Sequence, residues 1–306
     1  RRVLVELRNL LVTDQWSSGQ QLTALEELTV EDLRAFIPAL LAEVDVVGLA
    51  HGNLYRDEAL ALGAVVRGTL LRQSQPGQMP TVDIINLATG TKPVRQLLLD
   101  HDDSVLASYF QGETDDLDTR ARFSLLAQLV SRSFYNDLRN ERQLGYIVSA
   151  ATMPLHNTPG VVFLVQSPTV DPLTLEQHVD RFLADFAEQL TQMSHDVFEH
   201  HKRGVQNRML ADAATLSERS DRYWRQITAN QPNFNLRQHL ADAVGKLDLS
   251  KIIAFFQRVT EANQQRRLAV YSFGRPHRVS QAQPASDQVS DTVLISNWRE
   301  LERISQ

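Results

Sequence analysis

The fold is decided by two similar stretches, Leu28-Thr-Val-Glu-Asp-Leu-Arg-Ala-Phe36 and Leu247-Asp-Leu-Ser-Lys-Ile-Ile-Ala-Phe255, which share the identical pairs Leu28/Leu247, Ala35/Ala254 and Phe36/Phe255. The two copies align without a gap at an offset of 219 residues (247 minus 28), and both carry apolar residues at helical spacing. Each copy runs on into a strand-like stretch that ends in glycine, at residues 44–52 and 266–274. Chance similarity between two amphipathic helices is the alternative explanation. A genuine repeat predicts a domain of about 220 residues, preceded here by the last third of another such domain.

Length and composition are those of an ordinary globular protein. The chain has 306 residues, of which 42% are hydrophobic and 22% charged. Because single domains usually contain roughly 100–200 residues, two packed units are expected. This composition excludes disordered and fibrous classes.

The charge balance bears on the partners. A formal net charge of -6 argues against nucleic acid and anionic membranes, which select basic surfaces. The longest apolar runs, such as residues 44–50 and 161–165, are far shorter than the roughly 20 residues that cross a bilayer. The absence of cysteine excludes disulfides, thiolate nucleophiles and Cys-ligated zinc. The chain begins Arg1-Arg2-Val3, without an initiator Met or a signal-peptide pattern, so we expect a piece of a longer protein.

The pattern of apolar residues predicts an α+β fold. Helices are predicted over residues 31–42, 56–72, 118–140, most of 173–262, and around Trp298. We expect two hairpins, one pairing residues 93–99 with 105–111 and one pairing 146–153 with 161–166. A closing strand at residues 268–273 returns to the sheet. Strands at both ends with helices between them predict a largely antiparallel sheet with helices packed on one face.

Nine histidines make a metal site the first chemistry to consider. The stretch His195-Asp-Val-Phe-Glu199-His200 resembles the inverted zinc motif H-x-x-E-H but has one residue too many. On a helix the two histidines would lie about 140° apart, so they cannot both bind one metal ion. We interpret them as solvated surface residues, and no metal site is expected in this chain.

Other catalytic motifs are absent from the sequence. There is no G-x-S-x-G, no G-x-x-x-x-G-K-[ST] and no G-x-G-x-x-G, so serine-hydrolase, P-loop and dinucleotide-binding functions lack support. The acidic pairs lie in turns or at helix starts, where they cap backbone donors. The chain is therefore expected to lack a complete active site.

One stretch, from Ser133 to Val148, suggests chemistry. It places Arg139 at a helix end and Tyr146 at a strand start, joined by a tight turn. A guanidinium and a phenol at such a junction can donate hydrogen bonds to a peptide carbonyl or to the oxyanion formed when water attacks it. The alternative is an arginine that caps the last helix carbonyls and a tyrosine half-buried on a strand.

At these residues the chain resembles the insulysin/pitrilysin family (M16) of zinc metallopeptidases, nearest to its bacterial members. Arg139, Gln143, Leu144, Gly145 and Tyr146 match in register the R-x-x-x-Q-L-G-Y signature of the family's C-terminal half. Similarity continues at residues 51–53, 217–224 and 247–256, so it covers nearly the whole chain.

The resemblance implies an architecture of four homologous α+β domains, arranged as two halves that close a chamber. Residues 1–92 would be the C-terminal part of the third domain, and residues 93–306 the complete fourth domain with a C-terminal tail. The family's zinc site, with H-x-x-E-H and a distant Glu, lies in the first domain. This chain would therefore contain no zinc and be inactive alone.

The resemblance also implies roles for three residues. Arg139 would orient the substrate, Tyr146 would stabilise the tetrahedral oxyanion, and Tyr135 would line the pocket beside the scissile bond, although an aromatic there could equally belong to the core. The expected partners are peptide substrates and the N-terminal half of the same protein, and the expected compartment is the periplasm. The function would be that of the C-terminal substrate-binding half of a zinc metalloendopeptidase. The alternative is a non-catalytic partner subunit of the same fold.

Overall fold

The computed structural model describes residues 1–72, 74–78, 82–98, 100–230, 234–282 and 292–305, without the side chains of 279–282. They form two compact units. The sheet unit comprises Arg1–Gln15, Asp83–Ala211 and Asn235–Gln306, and the helical unit comprises Trp16–Val82 and Asp212–Phe234. The predicted domain boundary at residue 92 stays a prediction.

The elements follow one another along the chain with helices in the majority. The strands are β1 (Glu43–Val44), β2 (Gln75–Pro76), β3 (Lys92–Leu98), β4 (Ser104–Gln111), β5 (Ile147–Thr152), β6 (Gly160–Ser167), β7 (Arg267–Phe273) and β8 (Thr292–Ile295). The α-helices are α1 (Arg2–Leu11), α2 (Ser18–Glu27), α3 (Val30–Leu40), α4 (Arg56–Thr69), α5 (Leu117–Tyr135), α6 (Pro172–Thr191), α7 (His195–Leu210), α8 (Leu216–Thr228), α9 (Leu236–Gly245), α10 (Leu249–Thr260) and α11 (Trp298–Ser305). A π-helical turn (Asn136–Glu141) and a 3-10 helix (Arg275–Ala282) complete the list.

The sheet unit is built on a six-stranded sheet in the order β5-β6-β4-β7-β3-β8. The pairs β5–β6, β4–β6 and β4–β7 are antiparallel, whereas β3 is parallel to β7 and to β8. The predicted α+β class and the predicted hairpin of β5 and β6 are therefore confirmed.

The other predicted hairpin, between residues 93–99 and 105–111, is wrong. Both strands form, but β7 lies between β3 and β4 and pairs with each of them. All seven residues of β7 are buried, whereas Arg95, Gln96 and Leu97 of β3 remain partly exposed. The strand that is buried along its whole length takes the central position, where both of its faces lose water, and this outweighs the short loop that favoured a hairpin.

One face of the sheet is covered by α5, α6 and α10, which bury a chain of aromatic rings. Phe134 lies edge-on against Phe163 and Phe182, each with ring centroids 5.1 Å apart, and Phe186 contacts Phe256 at 5.5 Å. Rings in this arrangement add roughly 0.5–1.5 kcal/mol per pair to the effect of area burial. This layer is the one that the helical stripes predicted.

The opposite face is also covered, by α1 and α11. Leu7 and Leu301 pack there with Tyr109 and Val270, all at most 2% exposed. Alternate residues of β4 and β7 point to this side, and they are as apolar as those facing α5. A sheet that is apolar on both faces needs two layers, so the structure adds a helical layer to the predicted arrangement.

A cluster of buried charges joins α6 to the sheet. Glu176 Oε2 accepts from Lys92 Nζ at 2.6 Å and from the Tyr271 hydroxyl, and its Oε1 accepts from Arg267 Nη2 at 3.0 Å. Arg267 also bonds Asp180 at 2.7 Å. Burial alone would raise the pKa of Glu176, but Arg267 and Lys92 reverse this effect and hold the pKa below its ordinary value of 4.5.

The helical unit contains α2, α3, α4 and α8, with a two-residue parallel pairing of β1 and β2. The predicted strand at residues 44–52 is therefore wrong for most of its length. In the second copy of the repeat, β7 forms because β4 and β3 flank it, whereas β1 pairs only with β2 within the described residues. Across the helices that are described, none combines the length and apolar character needed to cross a membrane.

We expect Glu176→Gln to lower the free energy of unfolding at pH 7 by about 3 kcal/mol, because Lys92 and Arg267 lose a buried counter-charge. A depressed folded-state pKa contributes stability that is fully present above pH 4.5 and is lost as the pH falls through the lower folded value. The variant should therefore lose less stability than wild type on acidification. Urea unfolding at pH 7 and below pH 4.5 measures both effects. Exposed Glu188→Gln, on the same helix, is the matched control, and equal losses in both variants would contradict the assignment.

Candidate functional site

The candidate site begins where α5 changes from α-helical to π-helical winding. The turn Asn136–Glu141 follows the helix directly, and the Arg142 backbone N–H donates to the Asp137 carbonyl at 2.9 Å, five residues back. π-Helical turns of this kind are uncommon and occur frequently at functional sites. The turn rotates Arg139 relative to the position that a continuous α-helix over residues 118–140 would give it.

The chain then reverses through three residues, each with its own physical role. Gln143 adopts left-handed backbone geometry with φ of 53°. Leu144 is 7% exposed, and its N–H donates to the Leu138 carbonyl at 2.9 Å. A Cβ atom on Gly145 would lie 1.9 Å from the Gln166 carbonyl oxygen, so only glycine allows the chain to approach β6 at this point. Burial explains the leucine of the signature, and the close approach to β6 explains its glycine.

Arg139 and Tyr146 meet across this reversal. The Arg139 Nη1 donates to the Gly145 carbonyl at 2.8 Å, one residue before Tyr146. Arg139 is partly buried, whereas Tyr146, the residue directly before β5, is 53% exposed. The arginine therefore binds a carbonyl beyond the helix instead of the last helix carbonyls. The two predicted residues lie at one junction, and their catalytic roles stay predictions.

Tyr135 is the last residue of α5 and is 43% exposed. It is thus a surface residue and not part of the aromatic core. Within the part of the chain that the structure describes, its side chain makes no hydrogen bond to Arg139 or Tyr146. The predicted role of Tyr135 beside a scissile bond stays a prediction.

Two neighbours of Tyr146 escaped the sequence analysis. Gln166 Nε2 donates to the Tyr146 hydroxyl at 2.5 Å and to Asp103 Oδ2 at 2.8 Å. Gln166 lies opposite Ile147 in the hairpin, so the predicted β5–β6 pairing could have identified it. Asp103 comes from the loop before β4, and only the strand order brings it here.

The environment of the phenol changes its acidity. Desolvation, together with a hydrogen bond to the Asp103 carboxylate and its negative charge, raises the pKa of Tyr146 above its ordinary value of 10.0, and Gln166 opposes this in part. The phenol therefore keeps its proton throughout the neutral pH range and can donate a hydrogen bond.

The π-helical turn is held against α6 by Arg142. Its Nε donates to Asp137 Oδ1 at 2.9 Å, its Nη1 donates to His178 Nδ1 at 3.2 Å, and its Nη2 lies 3.6 Å from Asp185. Burial and the neighbouring Arg142 lower the pKa of His178, which favours the neutral ring that accepts this bond. The brace fixes the element that carries Arg139.

The histidines of the near-motif lie on α7, as expected. His195 and His200 are separated by five residues on that helix and so point in different directions. Among the described residues, no group of three or more His, Cys, Asp or Glu is placed to hold a metal ion.

We expect Gly145→Ala to lower the free energy of unfolding by about 3 kcal/mol, because the added methyl group overlaps the Gln166 carbonyl and forces β5 away from β6. Thermal or urea unfolding measures the loss. Gly204→Ala on α7 is the matched control, since no atom lies within 4 Å of its added Cβ, and it should be neutral or slightly stabilising. Equal stability of the two variants would contradict the close approach.

Comparisons with known proteins place this geometry in a wider group. A family model described as "PQQ synthase PqqF-like, C-terminal lobe domain 4" matches residues 125–224. A nardilysin-like protein of Arabidopsis thaliana is 28% identical over 295 residues, which are 93% of this chain and 28% of that protein. Insulin-degrading enzyme of Homo sapiens is 27% identical over 267 residues, 85% of this chain and 26% of that protein. The chain spans only about a quarter of the length of these relatives.

Solved structures agree on the fold. The crystal structure of pitrilysin matches with a TM-score of 0.83 and 22% identity, covering 99% of this chain and 32% of that one. A peptidase M16 inactive domain from Pseudomonas fluorescens matches with a TM-score of 0.59 and 17% identity, covering 88% of this chain and 64% of that one. The expected resemblance is thereby confirmed: the relatives of this chain are insulysin- and nardilysin-type M16 peptidases, and the part it matches lies in their C-terminal half.

Proposed function

We propose that this chain is the C-terminal, substrate-binding half of a zinc metalloendopeptidase that cleaves peptides inside a closed chamber. The observation that carries the proposal is the junction of Arg139 and Tyr146, where the Arg139 guanidinium donates to the carbonyl of Gly145, the residue before Tyr146. Within the R-x-x-x-Q-L-G-Y signature, Leu144 and Gly145 form the chain reversal that creates this junction. Peptides are the substrates, and the N-terminal half of the same protein is the partner.

Tyr146 has the chemistry of an oxyanion donor. Its hydroxyl accepts from Gln166, so its own proton remains available for another acceptor. A rigid donor aimed at the oxygen that becomes negative in the transition state lowers the barrier without reorganisation. Removal of one such donor typically lowers the rate by about 100- to 1000-fold.

Arg139 has the chemistry of a substrate clamp. A guanidinium carries five N–H donors in a planar fork, and the Gly145 carbonyl occupies one of them. The remaining donors can bind a substrate carbonyl while the first keeps the fork in place. Tyr135, exposed four residues earlier in the chain, is proposed to line the pocket.

Zinc, held by residues outside this chain, would supply the polarised water. The described residues provide no group of metal ligands, so we propose that activity needs both halves. In this arrangement Arg139 and Tyr146 bind and orient the reacting peptide, and the other half would hold the zinc.

The domain assignment is proposed in the same way. Leu33, Phe36 and Ile37 of α3 are 60%, 55% and 44% exposed. At the offset of the repeat their counterparts are Ile252, Phe255 and Phe256 of α10, which are 0%, 4% and 1% exposed. We propose that residues 1–92 are the C-terminal part of a third domain, in which the apolar face of α3 is buried as that of α10 is in the fourth domain, residues 93–306.

The compartment is proposed to be the periplasm. One relative of known structure is described as the periplasmic protease PqqL from Escherichia coli, with a TM-score of 0.55 and 13% identity, covering 83% of this chain. Another relative, from Arabidopsis thaliana, is described as peroxisomal. Fractionation of cells that produce the full-length protein tests the proposal.

The second candidate is a non-catalytic partner subunit. The M16 inactive domain from Pseudomonas fluorescens shares the fold, which favours this candidate. The two candidates differ in the upstream coding sequence, because only the peptidase requires H-x-x-E-H there. Absence of that motif would establish the second candidate.

We expect Tyr146→Phe in the full-length protein to lower kcat by about 10- to 1000-fold with little change in KM, because the variant loses a donor used mainly in the transition state. Steady-state peptide hydrolysis measures both constants. Tyr55→Phe, at another exposed tyrosine, is the matched control and should retain wild-type kcat. An unchanged kcat for Tyr146→Phe would show that the phenol only packs.

The repeat supplies a matched pair for the domain proposal. Phe255→Ala should lower the stability of this chain by about 3–5 kcal/mol, as for a buried aromatic, whereas Phe36→Ala should change it by less than about 0.5 kcal/mol. In the full-length protein, Phe36→Ala should also become strongly destabilising. Urea unfolding of the two variants in both forms measures this. A neutral Phe36→Ala in the full-length protein would contradict burial of α3.

A further inference from the structure

The Tyr146 phenol belongs to a three-residue hydrogen-bond network. The amide of Gln166 has two hydrogens, and it gives one to the Tyr146 oxygen at 2.5 Å and the other to Asp103 Oδ2 at 2.8 Å. The negative charge of Asp103 also raises the pKa of the phenol. The orientation of the amide is thereby fixed, because only its NH2 end can donate to both oxygens.

Gln166 is held firmly at its backbone. It lies in β6, between Ile147 of β5 and Val105 of β4 in the ladder. Its carbonyl is the atom that Gly145 approaches so closely. Because the backbone of Gln166 is paired on both sides, its side chain leaves the sheet from a fixed point.

Asp103 is held as firmly by its loop. Its N–H donates to His101 Nδ1 at 2.9 Å, and the following Ser104 Oγ accepts from the Gly274 N–H at 3.0 Å. The Arg275 N–H donates to the His101 carbonyl at 2.9 Å. The loop is therefore fastened to the end of β7 on both sides of the carboxylate.

We propose that Gln166 and Asp103 are positioning residues for Tyr146. Gln166 fixes the phenol oxygen, and Asp103 fixes the Gln166 amide. The proton of Tyr146 stays on its oxygen and remains available for a substrate oxygen. The proposal rests on the proposed role of Tyr146, but the network itself can be tested without catalysis.

The first experiment observes the phenol directly. In the chain labelled with ¹³C at tyrosine Cζ, the Tyr146 signal is assigned from its loss in Tyr146→Phe, and its chemical shift is followed with pH. Asp103→Asn should lower the pKa of the phenol, because a negative charge and an acceptor are removed. Gln166→Leu should raise it, because the bond that Gln166 donates opposes the effect of Asp103.

Opposite shifts of the phenol pKa in the two variants distinguish positioning from a general loss of structure. A general loss of structure would shift the phenol pKa in the same direction in both variants. Asp100→Asn is the matched control, since it removes a carboxylate from the same loop, and its side chain is 86% exposed and pairs with Arg275 and Arg278. Its effect on the phenol should be small. Absence of a shift in Gln166→Leu, or an equal shift in Asp100→Asn, would overturn the network.

The second experiment connects the network to activity in the full-length protein. Gln166→Leu should lower kcat about tenfold with KM changed by less than about twofold, and it should cause no further loss in a Tyr146→Phe background. Losses that multiply in the double variant would overturn the positioning role. If Tyr146→Phe alone leaves kcat unchanged, the proposed function fails, while the phenol titrations still decide whether the network exists.

Discussion

The close approach of Gly145 to β6 is the constraint on which the site depends. No side chain fits between its Cα and the Gln166 carbonyl, so the strand β5 begins against β6 at a single register. That register sets Tyr146 beside the Gln166 side chain and leaves the Gly145 carbonyl facing Arg139. A residue larger than glycine at position 145 would displace both Arg139 and Tyr146, because the positions of both depend on the backbone of Gly145.

The remaining parts of the site follow from how α5 ends. In a continuous α-helix, Arg139 would point in a different direction around the helix axis. The π-helical turn changes that direction, although its hydrogen-bond pattern is less favourable. Arg142 compensates by tying the turn to α6 through Asp137 and His178. The aromatic core beneath, with Phe134 against Phe182, keeps α5 and α6 from sliding. The buried contacts of α5 and α6 therefore fix the positions of Arg139 and Tyr146.

The local contacts of the site could be predicted from the sequence, whereas the contacts between distant parts of the chain could not. Arg139, Gly145 and Tyr146 were identifiable because they lie within eight residues of one another in a known signature. The insertion of β7 between β3 and β4 could not be predicted from the sequence. A short loop favours a hairpin, and only the burial of the complete strand β7 reverses that preference. Asp103 was missed because it reaches Gln166 through the pairing of β4 with β6, which neither predicted hairpin contains. The helical layer of α1 and α11 required knowing that both faces of β4 are covered.

The two copies of the repeat show how far a local pattern decides a fold. Residues 28–36 and 247–255 form helices in both places, α3 and α10, as their periodicity predicts. The following strand forms only after α10, where β3 and β4 are available as partners, while residues 45–50 remain irregular. Each backbone hydrogen bond in an α-helix joins residues four positions apart, whereas a strand needs hydrogen-bond partners on another strand, which can be distant in the sequence. Among the described residues, the apolar face of α3 is exposed and that of α10 is buried, so a similar local pattern gives a packed helix followed by a paired strand only where long-range contacts are made.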